Sequence, residues 1–334
     1  MAPGQSSEVI PDQCYLYNLP NEIILHILTP LPTLELLPLT LISHRIYALI
    51  LRILHNRLYL ASQLHDHTLM LECYHPSAKL TEPPYFCTYH GTEGLSLYYC
   101  PSETDVDLPA RLGELKNLYS HFRPHRREIE PARRRVNRHP AGDVPGSRTH
   151  SESSSTGAAR RADKDDMVKQ ILGLESHELF TQLCAVGYIV RNGPRPGIFM
   201  AYTEVEEGVV RVWREWLGKM SKRGKGENAA GRLAAAEEGD AGQNYTVTAP
   251  GLDEENLLWV SPAKNTGIRF NIRDRKLRRE VPILLHVEED LPVSYEVEYD
   301  ELLIRTSHLL LMFEKSLLQR DNSSGKAVVI GSFG

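Results

Sequence analysis

Residues 15–60 constrain this chain more than any other segment. Of these 46 residues, 22 are Leu or Ile, and Pro20, Pro30, Pro32 and Pro38 cut the run into pieces. A unit this small cannot enclose so much apolar surface. Part of it must meet the rest of the chain or a partner. A membrane span is not expected, because Glu22, Glu35, Arg45, Arg52 and the prolines interrupt every run approaching about 18 apolar residues.

The spacing is helical. Pro20 suits a first turn, where its missing N–H costs nothing, and Glu22 lies near the positive end of the same helix. Leu19, Ile23 and Ile27 recur every four residues, with Ile24, Leu28 and Leu31 beside them. Pro30 and Pro32 end this helix. Thr33 is the expected N-cap of a second turn, and Pro38 is expected to separate that turn from a longer helix over about 39–55.

Beyond residue 60 the pattern becomes β-rich. Strands are predicted at 67–74, 85–89, 185–191, 197–203, 208–216, 257–260, 267–272 and 281–287, with Tyr295, Val297 and Tyr299 marking another. A helix is expected over 108–122, a strand turning into a helix near His308, and a last strand at 326–330. Two polar stretches, 123–166 and 219–256, lack the apolar content to build a core and are expected to be disordered inserts. No fixed-period repeat occurs, which disfavours a solenoid or propeller.

Charge follows the same division. The net charge of −5 hides a segment, 121–161, with 10 Arg against 4 acidic residues. Only Phe122 lies near it for base stacking, so a nucleic-acid partner is not expected. The five cysteines are dispersed without a CxxC, which points to reduced thiols in the cytoplasm or nucleus. The N-terminus lacks the basic and apolar regions of a signal peptide.

Three constellations could carry chemistry. Cys73, His75, Cys87 and His90 offer soft and imidazole ligands, but CxH is an unusual spacing for structural zinc, and neither a metal nor a cofactor is expected. Arg269, Arg273 and Arg275 would share one face of a strand and could hold an acidic segment of a target. Trp213 and Trp216 are candidates for a substrate surface, against the simpler reading of core packing. The nucleophile elbow GxSxG, HExxH, the phosphate loop and the dinucleotide-binding glycines are all missing, so a non-catalytic role is expected.

The residues of the first segment carry a resemblance. Leu19-Pro20-x-Glu22-Ile23, then Ile27 and Leu31, then Leu39-x-x-Ile42-Ser43-x-Arg45-x-Tyr47-x-Leu49, resemble the F-box over residues 17–58. Glu35 stands where Asp is usual, and Leu58-Tyr59 where Leu-Trp is common. The remainder resembles a group of fungal F-box proteins without leucine-rich or WD repeats, through Glu72–Leu80, Val210–Trp216, Gly267–Arg279 and Val293–Tyr299.

The expected fold is therefore α+β. A three-helix F-box-like segment (15–60) precedes a sandwich-like antiparallel β-rich domain (61–122 and 167–320) with a few helices. The resemblance implies docking on a Skp-family adaptor and, through it, on a cullin scaffold, with an unknown protein target on the β-rich domain. Leu19, Pro20, Ile23, Ile27, Leu31, Leu36, Leu39 and Ile42 are the expected adaptor contacts. Two other readings stay open: an F-box scaffold or nuclear binding protein outside ubiquitination, and an uncharacterised hydrolase or carbohydrate-binding sandwich.

Overall fold

The computed structural model describes residues 15–78, 82–95, 108–126, 167–194, 198–223, 254–275, 291–319 and 328–329. Three helices come first: α1 (Asn21–Leu28), α2 (Thr33–Leu39) and α3 (His44–Gln63). Pro20 and Pro32 occupy the cap positions of α1 and α2. The Ser43 hydroxyl accepts from the Ile46 N–H and caps α3.

Helix α3 is apolar on two sides, and its packing explains why. Ile46, Leu49, Ile50, Ile53 and Leu54 pack with Ile24 and Leu28 of α1 and Leu36 of α2. Another side, through Ala48, Leu51, Leu58 and Ala61, packs on Leu108, Leu115 and Leu310 of the body. The polar residues Arg52 and Asn56 occupy the exposed strip that remains. Among the described residues no helix is long and apolar enough to cross a membrane.

The body follows as β1 (His67–Tyr74), β2 (Tyr85–Thr92), α4 (Leu108–Lys116), β3 (Tyr119–His125), β4 (Lys169–Leu174), β5 (Phe180–Asn192) and β6 (Ile198–Trp213). Helix α5 covers 214–223. Then come β7 (Leu257–Trp259), β8 (Thr266–Asp274), β9 (Val293–Arg305), α6 (Thr306–Leu318) and β10 (Val328–Val329). The strands form one antiparallel sheet in the order β10-β6-β5-β1-β2-β3-β9-β8-β7, with β4 paired to the first half of β9.

The sheet curls over one core as a half-barrel, with Phe122, Leu183, Ile189, Ile268, Tyr299 and Leu302 fully buried inside it. The Tyr299 hydroxyl crosses this core from β9 and lies 2.8 Å from the Cys73 carbonyl oxygen on β1 and 2.7 Å from the Gln170 amide oxygen. Leu309 of α6 packs into the same core. The sandwich-like expectation is refined accordingly: the layers that face each other are halves of one continuous sheet.

Several boundaries differ from the sequence reading. The helix expected over 108–122 stops at Lys116, and β3 takes the rest, because Ser120 and Phe122 alternate into the core and pair with β2 and β9. The polar insert therefore does not begin at 123. The strands expected at 197–203 and 208–216 are one long β6, whose register shift against β5 leaves Val205 as an extra residue. The Val205 carbonyl accepts from His308 Nε2 at 2.9 Å.

Residues 219–223, read as polar insert, continue α5, and 254–256 form a 3₁₀ turn before β7. Pro38 lies inside α2, which ends one residue later, and the long helix starts at the Ser43 cap rather than near 39. The strand expected at 281–287 lies outside the described residues. So does most of both inserts.

Candidate functional site

The helical head presents an apolar surface because its two short helices, α1 and α2, bury only part of their apolar residues. In α1, Ile24 and Leu28 turn inward, while Ile23 and Ile27, about 100° round the helix, are 47% and 51% exposed. In α2, Leu36 is fully buried, while Leu34 is 66% exposed. Leu41, in the turn before α3, is 89% exposed, and Ile42 beside it is about half exposed.

These positions revise the expected contact set. Pro20, Ile23, Ile27 and Ile42 are exposed. Leu19, Leu31 and Leu39 are partly buried and pack against the head's own core. Leu36 belongs to that core and is fully buried. Leu34, Leu37 and Leu41 lie outside the expected set, yet all three are exposed. The signal for Leu34 is its position two residues from Leu36, about 200° round an α-helix. It becomes readable only once the buried face of α2 is known.

Two arginines hold this surface in place. Arg45 Nε donates to Asn21 Oδ1 at 2.7 Å and Arg45 Nη2 to the Leu19 carbonyl, tying the start of α3 to the entry of α1. Arg57 donates to the Thr29 and Leu31 carbonyls and forms an ion pair with Glu314 of α6 at 3.1 Å. Thr33, the expected N-cap, plays another part. Its hydroxyl donates to Glu314 Oε1 at 2.6 Å and its backbone N–H to Oε2 at 3.2 Å. One carboxylate thus holds Thr33 of α2 and Arg57 of α3, Arg57 in turn holds the α1–α2 connection, and the set fixes the head to the body.

On the body, the basic candidates are largely answered from within. Arg269 Nη1 lies 2.6 Å from Glu301 Oε2, and Arg273 Nη2 lies 3.3 Å from Glu298 Oε2. The hydrogen bond from His121, opposed by burial and assisted by the Arg269 charge, holds the Glu301 carboxyl below the usual carboxylate range. Arg275 is exposed at the end of β8.

The tryptophans part company. Trp213 ends β6, exposed, with its ring 5.1 Å from that of Phe180. Trp216 lies on α5 with its ring edge-on to Phe270 in the core, and its Nε1 donates to the Glu255 carbonyl at 3.0 Å.

The cysteine–histidine set does not converge. Cys73 and Cys87 are buried in the core, whereas His75 and His90 are exposed. Burial pushes the Cys73 thiol from 9.0 up to about 12, which disfavours the thiolate a metal needs. Among the described residues no group of three or more His, Cys, Asp or Glu could hold a metal ion.

With this geometry in view, comparison with known proteins gives one positive finding. Residues 16–61 match the F-box-like family model. No curated protein and no solved structure matches the chain. The N-terminal helices are therefore an F-box-like domain, of the kind that in general binds Skp-type adaptors, followed by an antiparallel half-barrel.

Proposed function

We propose, from the F-box-like domain at 16–61, that this protein is a non-catalytic substrate-recognition subunit of an SCF-type cullin ubiquitin ligase. The observation that carries this reading is the exposed apolar surface of that domain: Ile23 and Ile27 on α1, Leu34 and Leu37 on α2, and Leu41 and Ile42 in the turn that follows. Such a surface matches the apolar centre of a protein–protein interface. In this role Pro20 and the six residues just named meet a Skp-family adaptor, and the adaptor joins the chain to a cullin scaffold. The half-barrel, held to the head through Arg57 and Glu314, presents a protein target in the cytoplasm or nucleus.

Capture of a purified Skp-family adaptor by the full-length chain tests the reading. Wild type is expected to retain the adaptor, and Ile23→Asp with Ile27→Asp to release it. Failure of the wild type to bind would sink the proposal. Adaptor recovered from cells without cullin would favour a scaffold acting outside ubiquitination.

A further inference from the structure

The half-barrel has an open seam. The sheet ends on β10 and β7, but among the described residues β10 covers the outer edge of β6 only at Ile198 and Phe199, so the rest of that edge faces β7. The curl of the sheet brings the two edges together in antiparallel sense and pins them at both ends. At one end a Cβ on Gly208 would lie 2.5 Å from the Val260 carbonyl oxygen, so the backbones touch there. The Ser261 hydroxyl donates to Glu206 beside that contact. At the other end Trp216 donates to the Glu255 carbonyl, and Arg223 pairs with the Glu255 side chain. Between the pins lies a cleft of about 580 Å³ lined by Gln182, Val209, Val210, Arg211, Leu258 and Trp259.

We infer that this seam takes an extended segment of a target protein, added as a strand along the free edge of β6 at 209–213. The inference rests on the substrate-recognition role proposed above. An edge strand presents every second N–H and C=O without a ladder partner, and an added strand supplies those partners. Five residues span about 16 Å at about 3.3 Å each, and the cleft lies within the range of about 300–1,000 Å³ usual for binding sites.

The side chains define the occupant. Val209, Arg211 and Trp213 alternate outward along β6, while Val210 and Val212 are buried. Val209 is 54% exposed, and Leu258 and Trp259 on the opposite lip are partly exposed, so an apolar side chain fits between them. The Arg211 guanidinium lies 5.5 Å over the Phe180 ring and forms no ion pair among the described residues. Lys264 Nζ lies 5.6 Å over the Trp259 ring on the other lip. The segment that suits this seam alternates apolar and acidic side chains.

Fluorescence anisotropy with the full-length chain tests this. The probe is the labelled peptide Glu-Val-Glu-Leu-Glu-Val, compared with its Lys-for-Glu counterpart and with a copy N-methylated at alternate residues. Wild type is expected to bind the acidic peptide, and both comparators about tenfold more weakly. Arg211→Glu, at an exposed position, is expected to reverse the charge preference.

Absence of saturable binding, equal binding of the N-methylated copy, or an unchanged preference in Arg211→Glu overturns the inference. Binding that emerges only after deletion of residues 230–250 also overturns it, because a segment of the chain itself then fills the seam. Adaptor capture reports on the head alone. If capture fails while the peptide binds, the ubiquitin-ligase reading falls and the seam stands; the opposite pattern removes only the seam.

Discussion

Along β9, Tyr295, Val297 and Tyr299 enter the core, while Glu301 on the outer side meets Arg269 and His121. Along α1 and α2 the arrangement differs: Ile24, Leu28 and Leu36 are buried, yet Ile23, Ile27, Leu34 and Leu37 on the other faces are equally apolar. The body has enough sheet to cover its apolar residues and to give its outward positions charge partners. The head has three helices, one of them already buried on two sides, and no surface left to cover the rest. Each Leu or Ile left in water forgoes about 1.5–3 kcal/mol of burial. Among the described residues, exposed large apolar side chains are scattered over the body, as at Ile171, Leu179, Val209 and Leu318, whereas in the head they crowd into residues 23–42. The head's composition therefore leaves an apolar surface of the kind a protein partner covers.

The contrast can be broken experimentally, most sharply in the body. Burial raises the Cys73 thiol to about 12. That cuts its thiolate fraction at pH 8 about a thousandfold. Iodoacetamide should label Cys73 only as fast as the chain unfolds, and prompt labelling of the native protein would show that the body core is not closed.

Next in size is a pair of substitutions within α2. Leu36→Ala should cost about 2–5 kcal/mol in urea unfolding. Leu34→Ala, two residues away, should stay within about 0.5 kcal/mol. Equal losses would erase the distinction between the helix's two faces.

The junction between head and body comes third. Glu314→Ala removes the acceptor shared by Arg57 and Thr33 and should cost about 1–3 kcal/mol. Hydrogen exchange should then rise in 33–39 more than in β9; a uniform rise would mean that head and body unfold as one unit. The smallest stability effect belongs to Leu41→Ser. It should leave the unfolding midpoint nearly unchanged and still weaken adaptor capture, and unaltered capture would place Leu41 outside the interface.

Much of this architecture was legible in local pattern. The i, i+4 spacing of Leu19, Ile23 and Ile27, the alternation at Tyr295, Val297 and Tyr299, and the turn from strand to helix near His308 are all signals that neighbouring residues carry. What failed was any assignment that depended on a distant partner. Leu112, Leu115 and Leu118 suggest a helix running on to Phe122, but pairing with β2 and β9 draws residues 119–125 into a strand. Trp213 and Trp216 form a pair by proximity in sequence. The start of α5 at 214 instead turns one ring toward the core and leaves the other in solvent. The eight expected adaptor contacts take the exposed face of α1, at Ile23 and Ile27, but the inner face of α2, at Leu36 and Leu39, because a helix with Leu at 34, 36, 37 and 39 gives little to tell its inner face from its outer.

The sequence by itself determined that the first 46-residue stretch after residue 14 would be helical and too apolar to stand alone, and that a β-rich body would follow. Those conclusions rest on composition and periodicity, which are local. The tertiary structure decided which of those Leu and Ile residues α3 and the head's core would claim, and so which remain exposed. It also decided that the strands form one curled sheet whose edges meet at Gly208 and Val260 and open beside Arg211. Burial and strand pairing are relations between residues far apart in the chain, and folding alone brings those residues together.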